Sequence, residues 1–128
     1  MVEAKYTRVP PFRSEPDMQH VNDALALLAS AQRPVIVAGG GVMTSGAQAE
    51  LIALAEKLNI PVATSLNAKA VMIDSHPLNV GVPGAYSRDC ANRTLAEADV
   101  VFFVGSHTGG QVTNNWMFPP AEIGRAHV

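Results

Sequence analysis

Apolar positions along this chain switch between two periods. From Asp17 onward, Met18, Val21, Leu25 and Leu28 recur at helical spacing, with Ala24 and Leu27 beside them. That spacing predicts an amphipathic helix whose stripe faces a core, and Asp17 is a fitting N-cap for it. Arg33-Pro34 ends the helix. Val35-Ile36-Val37-Ala38 follows, a β-branched run with no polar alternation, which reads as a strand covered on both faces. Gly39-Gly40-Gly41 comes directly after it. A second helix is predicted from about 44 or 45 to 59, with Ala47, Leu51, Leu54, Ala55 and Leu58 facing inward. Pro61 stops that helix, and Pro61-Val62-Ala63-Thr64 reads as a second strand.

Residues 65–88 hold no sustained period. Ala68 to Ile73 reads as a short helical turn, and His76-Pro77-Leu78 and Gly81-Val82-Pro83-Gly84 read as loop. A third helix is predicted over about 89–98. Val100-Val101-Phe102-Phe103-Val104 is the strongest strand signal, and Gly105-Ser106-His107-Thr108-Gly109-Gly110 is a loop at its carboxyl end. Ala126-His127-Val128 would open one more strand.

Strands alternating with helices imply right-handed βαβ units. The predicted fold is α/β, a three-layer doubly wound Rossmann-like parallel sheet lacking its last strand. Without that strand the sheet would keep an unpaired edge, and marginal stability or self-association would follow. The chain divides into a linker (1–16), where Val9-Pro10-Pro11-Phe12-Arg13 cannot be helical, one globular unit (17–120), and a truncated or non-native tail (121–128). Ligands of such sheets sit outside the carboxyl ends of the strands. Here those ends carry Gly39-Gly40-Gly41, Thr64-Ser65 and Gly105-Ser106-His107.

Composition narrows the function classes. With 128 residues the chain makes one domain. A net charge of −2 and no Lys/Arg cluster argue against nucleic acid as a partner. The single Cys90 excludes an internal disulfide and any multi-cysteine metal site, which suits a cytoplasmic location. No apolar run is long enough for a membrane helix.

The glycine run between strand and helix has two readings. Glycines let a backbone approach a diphosphate closely at a helix start, or they simply permit a tight strand-to-helix turn. A full dinucleotide fingerprint is absent: Gly39-Gly40-Gly41-Val42-Met43-Thr44 lacks the third glycine, and Thr64-Ser65-Leu66-Asn67 puts no acid after the second strand to hold a ribose. Bound NAD is therefore disfavoured. Ser106, His107 and Thr108 could contact a ligand or merely satisfy backbone groups. His76 and His107 have no carboxylate or cysteine at metal-ligand spacing beyond one Asp74-x-His76 pair. No catalytic or metal-ligating residue is predicted. Cys90 reads as a small buried filler. No G-x-S-x-G elbow surrounds Ser45 or Ser106, and no Tyr-x-x-x-Lys pair occurs.

Taken in order, the motifs carry a resemblance. They are Pro10-Pro11-Phe12-Arg13, Pro16-Asp17, Ala31 through Val42, Glu50-Leu51, Ala55-Glu56-Lys57, Ile60-Pro61-Val62, His76-Pro77, Gly81, Gly84, Ala91-Asn92, Leu95, Ala98-Asp99-Val100-Val101 and Val104-Gly105-Ser106. The set resembles the central (middle) domain of thiamine diphosphate-dependent enzymes of the acetolactate synthase-like superfamily, over residues 9–118. The resemblance implies a parent that binds thiamine diphosphate and Mg2+ and acts on 2-oxo acids as a lyase or transferase, the thiamine ylid serving as electron sink. It implies that both sites lie in N- and C-terminal catalytic domains outside these residues, since no Gly-Asp-Gly occurs here. This piece would then be an inactive scaffold within a homo-oligomer.

In some relatives the middle domain binds FAD or ADP. The matching positions here are Gly39, Gly40 and Gly41 near the diphosphate, Gly81 and Gly84 in the second loop, and Gly105 and Ser106 at the last strand. Flavin-binding synthases resembling this chain have Gly-Ala-Arg-Phe-Asp after that strand. Gly105-Ser106-His107-Thr108-Gly109 lacks both the arginine and the aspartate, which argues against FAD.

Overall fold

A computed structural model describes residues 3, 4, 7, 14–119 and 124–127. Most of the expected linker, including Val9 to Arg13, lies outside the described residues. So do 120–123 and 128.

The sheet forms where the sequence is most β-branched. Strands β1 (Pro34–Ala38), β2 (Val62–Thr64), β3 (Asn79–Gly81), β4 (Val100–Val104) and β5 (Gly124–His127) pair in the order β3-β2-β1-β4-β5. Every pairing is parallel. Pro34 is tolerated because it is the first residue of its strand. The register aligns Ile36 with Val62 and Phe102, and Val37 with Ala63 and Phe103. Alternate residues therefore enter two cores. Ile36, Ala38, Val62, Val100 and Phe102 pack beneath α1 (Met18–Ser30), α2 (Gly40–Ser45) and α3 (Gln48–Leu58). Val35, Val37, Ala63, Val101 and Phe103 pack with Leu95 of α4 (Asp89–Glu97). Helices cover both faces, so the doubly wound α/β reading holds.

The missing last strand is corrected. Gly124–His127 pairs with β4, aligning Val100 with Gly124 and Phe103 with His127. Strand β4 is thus interior, and the argument from its open edge to self-association falls away.

Helix α1 is less deeply seated than its stripe suggested. Asp17 does cap it, accepting the Gln19 N–H at 2.8 Å. Only Ala24 and Leu28 are buried, while Met18, Leu25 and Leu27 are 61%, 40% and 39% exposed. The seam runs through Val21, Ala24 and Leu28, so Met18 and Leu25 fall on one flank and Leu27 on the other. The second predicted helix is two. Gly46, at φ +68, ends α2 in the left-handed conformation, and α3 begins at Gln48. Leu51 and Ala55 are buried, with Ala47, Leu54 and Leu58 packed around them. Strand β3 escaped notice because Asn79-Val80-Gly81 is short and has one β-branched residue. The helical turn predicted over Ala68 to Ile73 lies earlier, as a 3-10 turn at Leu66–Ala68, and 69–73 are not helical.

Asp99 ties the two halves of the sheet together at its amino end. Its carboxylate accepts the Gln32 N–H at 2.6 Å and the Arg33 N–H at 2.9 Å, just before β1. Desolvation raises the Asp99 pKa, but the N–H groups of Gln32 and Arg33, its own N–H and the Arg33 charge together outweigh this, so the net shift is below the ordinary 3.8. A depressed carboxylate stabilises the fold above its unfolded-state pKa, and that contribution is lost as pH falls through the folded value. Thermal melts of wild type and Asp99→Asn should therefore differ at neutral pH. The gap should close as the solution is acidified below the ordinary carboxylate value.

Candidate functional site

The chain reverses its direction of sheet-building between β1 and β4, since β2 and β3 lie on one side of β1 and β4 and β5 on the other. Such a switch point opens a crevice at the carboxyl ends of its two strands. A cleft of about 480 Å³ lies there, within the range of roughly 300–1,000 Å³ usual for small-molecule sites. Gly39, Gly40 and Gly41 form one wall, and Gly105, Ser106 and His107 form another. Ser65, Leu66 and Asn67 close it from β2, and Tyr86, Gly109 and Gln111 from the later loops.

The glycines of this cleft serve a contact within the chain. A Cβ on Gly39 would stand 2.2 Å from the Gly105 carbonyl oxygen and 2.3 Å from Ser106 Cα. A Cβ on Gly41 would stand 2.8 Å from Gly105 Cα, and Gly105 itself sits at φ +57 with its missing Cβ 2.7 Å from the Val42 nitrogen. Two backbones pass so closely that neither tolerates a side chain. Hydrogen bonds seal the approach: the Gly39 N–H donates to the Val104 carbonyl and the Gly41 N–H to the Gly105 carbonyl, both at 2.9 Å. The Val42 N–H donates to Gly39 at 3.1 Å. Amides that would otherwise face a phosphate are used inside the protein. Gly40 and Gly41 are also the first turn of α2 and not a loop before a later helix.

Gly81 and Gly84 stand apart from the other predicted site residues, since neither lines the cleft. Gly81 lies at φ +90, its N–H donating to Asn79 Oδ1 at 2.9 Å. Gly84 lies at φ +94, and a Cβ there would come within 1.6 Å of the Gln111 carbonyl oxygen. Asn92 clamps this glycine, accepting its N–H at 2.7 Å and donating to its carbonyl at 3.2 Å. The Ala91-Asn92 motif thus reaches from α4 to hold the loop that forms the cleft's far wall.

Ser65 lines the cleft from the strand end where the sequence placed it, while Tyr86, Asn67 and Gln111 are lining residues that sequence reasoning missed. Asn67 could have been found from its place after β2. Tyr86 and Gln111 could not, because their positions depend on the Gly84 contact with residue 111. Beyond Gln111 the loop is pinned by Thr113, which is 3% exposed. Thr113 Oγ1 donates to the Gly109 carbonyl at 3.0 Å and accepts the Trp116 N–H at 2.9 Å.

His76 Nδ1 accepts the Leu78 N–H at 3.2 Å, so Nε2 carries the proton that faces Glu56 Oε1, also at 3.2 Å. His107 is exposed at the cleft edge. Cys90 is corrected from buried filler to an exposed thiol donating to the Val80 carbonyl at 3.2 Å, because it lies on the outer side of α4 opposite Ala91 and Leu95. Among the described residues, no group of three or more His, Cys, Asp or Glu could hold a metal ion. Among the described residues, no Asp, Glu, Lys or Arg lines the cleft. Asn67 and Gln111 bring two carboxamides to it with no carboxylate in the lining, so the residues present do not fit a thiamine diphosphate–metal site, which needs carboxylate oxygens around a divalent cation.

The family model described as "Thiamine pyrophosphate enzyme, central domain" matches residues 21–128. The chain belongs to that family. The match runs from Val21, within α1, through β5 and includes all of the expected 121–128 tail. This central domain is 42% identical over 97 residues to a probable acetolactate synthase large subunit of Methanococcus aeolicus, covering 76% of this chain and 16% of that protein. It is 40% identical over 105 residues to the probable acetolactate synthase large subunit of Methanocaldococcus jannaschii, covering 80% and 18%. It is 37% identical over 112 residues to a 3D-(3,5/4)-trihydroxycyclohexane-1,2-dione hydrolase of Geobacillus thermodenitrificans, covering 87% and 18%. The central domain therefore spans less than a fifth of the length of these relatives. Among the described residues, no helix is long and apolar enough to cross a membrane.

Proposed function

We propose that this chain serves as the scaffold between the catalytic domains of a thiamine diphosphate- and Mg2+-dependent enzyme acting on 2-oxo acids, in a cytoplasmic homo-oligomer. The observation that carries this reading is a central-domain match over a switch-point cleft whose walls are glycine contacts and uncharged side chains. Among the described residues no carboxylate or lysine lines that site to serve carbon–carbon bond chemistry, and its one imidazole, His107, is exposed at the edge. Its role is positional: a rigid five-stranded sheet fixes the distance between whatever polypeptide joins its two ends. The purified 128-residue chain, assayed with thiamine diphosphate, Mg2+ and a panel of 2-oxo acids, should give no turnover. Turnover by the chain alone would overturn the scaffold reading.

A second reading is an adenine-nucleotide or FAD-binding module without catalysis, favoured by the size and switch-point position of the cleft. A ligand that binds only the folded state raises its stability by mass action. Absence of any thermal shift with FAD, ADP or their phosphate-free counterparts leaves the scaffold reading alone.

A further inference from the structure

We propose that the side chain of Asn79 closes the outer edge of β3 against strand addition, so that two copies of this chain do not join their sheets there. Among the described residues β3 is an end strand, paired on one side only, with β2. An end strand offers unpaired backbone groups to any chain that can lie beside it. Here the N–H groups are taken up locally. Asn79 Oδ1 accepts the Gly81 N–H at 2.9 Å. The same carboxamide is anchored through Nδ2, which donates to the Met72 and Ile73 carbonyls at 3.2 and 3.1 Å. The Asn79 N–H donates to the His76 carbonyl at 2.9 Å, and the Leu78 N–H to His76 Nδ1 at 3.2 Å. Side-chain bonds of this kind compete directly with ladder bonds. The start of α4 covers the next stretch: Cys90 Sγ donates to the Val80 carbonyl at 3.2 Å and the Arg88 N–H to the Val82 carbonyl at 3.1 Å. Backbone shape works the same way. The β2–β3 register shifts between Val62 and Ala63, and Gly81 lies at φ +90, so the strand bends away from a straight neighbour. The inference does not depend on the cleft holding a ligand.

The test combines amide exchange and sedimentation of the full chain over a range of protein concentrations. In the wild type, Gly81 exchange should be slow and independent of concentration, because its acceptor lies in the same molecule. Asn79→Val removes the carboxamide and favours extended backbone. Its Gly81 amide should exchange faster in dilute solution, by on the order of tenfold for one lost hydrogen bond. It should slow again as concentration rises and the sedimenting mass at least doubles. Asn79→Lys loses the same bonds but sets a charge on the edge, which blocks strand pairing. That chain should show fast Gly81 exchange at every concentration and keep the wild-type mass. Wild-type Gly81 exchange that is rapid, or that slows with concentration, would overturn the proposal without recourse to any variant. Equal association of the Asn79→Val and Asn79→Lys chains would overturn it too, since lost folding and not an opened edge would be the cause. So would an Asn79→Val chain that keeps the wild-type mass throughout, because something other than Asn79 would then close the edge.

Discussion

Gly84→Ala should cost the domain at least ~4 kcal/mol of unfolding free energy, placing it in the exceptional tail of single substitutions. Two effects add. A non-glycine residue held at φ +94 carries strain of about 1–3 kcal/mol. The new methyl would also lie 1.6 Å from the Gln111 carbonyl oxygen and 2.7 Å from its carbon. Those are backbone atoms, so no rotamer change relieves the overlap. The 82–88 and 109–118 loops must separate, which breaks the Ala85 N–H bond to Gln111 at 3.0 Å and the Asn92 clamp. Domains of this size are stable by only about 5–15 kcal/mol in total. Urea denaturation of the two chains measures the difference directly. A loss under ~1 kcal/mol would mean that these loops do not meet as described.

Gly39→Ala isolates the steric effect, because Gly39 sits at φ −108, where any residue is comfortable. Its Cβ would overlap Gly105 and Ser106 at 2.2–2.6 Å, and relief requires β4's end to move away from β1. A loss of roughly 3 kcal/mol or more is expected, at or beyond the upper end of overpacking costs. Gly109→Ala is the control. Gly109 also lines the cleft, but a Cβ there meets nothing within 4 Å, so stability should stay within ~1 kcal/mol. If Gly39→Ala and Gly109→Ala behaved alike, cleft lining and not chain contact would be what their substitution disturbs.

Much of the fold was legible because the buried parallel strands are apolar runs with few alternatives. Val100–Val104 and Val35 to Ala38 announce themselves by β-branching alone. Strand β3 did not, because its place is set by its β2 partner and by Asn79, whose amide reaches the Met72 and Ile73 carbonyls at 3.2 and 3.1 Å. Helix α1 misled because apolarity shows which faces could be buried, while the partner surface decides which one is. Strand β5 follows a similar logic: Gly124-Arg125-Ala126-His127 has little strand propensity, and its pairing comes from the exposed edge of β4.

The candidate site was half visible. Gly39, Gly40, Gly41, Gly105 and Ser106 do come together in the cleft, because strand ends in a parallel sheet converge by topology. Gly81 and Gly84 do not join them, because a positive φ in a loop looks the same in sequence whether it faces a ligand or another loop. Of the two readings of the glycine run, the tight turn is the one the structure describes, with Gly39 and Gly41 packed against Gly105. Asp99, quoted at first only as part of a motif, turns out to bind the start of β1 through two amides.

Amide hydrogen exchange at Gly39 and Gly41 in the ligand-free chain tests the whole account most directly. With their N–H groups donated to Val104 and Gly105, both amides should exchange as slowly as the neighbouring β1 amides and stay unchanged on adding ADP or FAD. Fast exchange at both positions, slowed only when a diphosphate is added, would show that the glycine turn is open for phosphate and would contradict its role as a contact between β1 and β4.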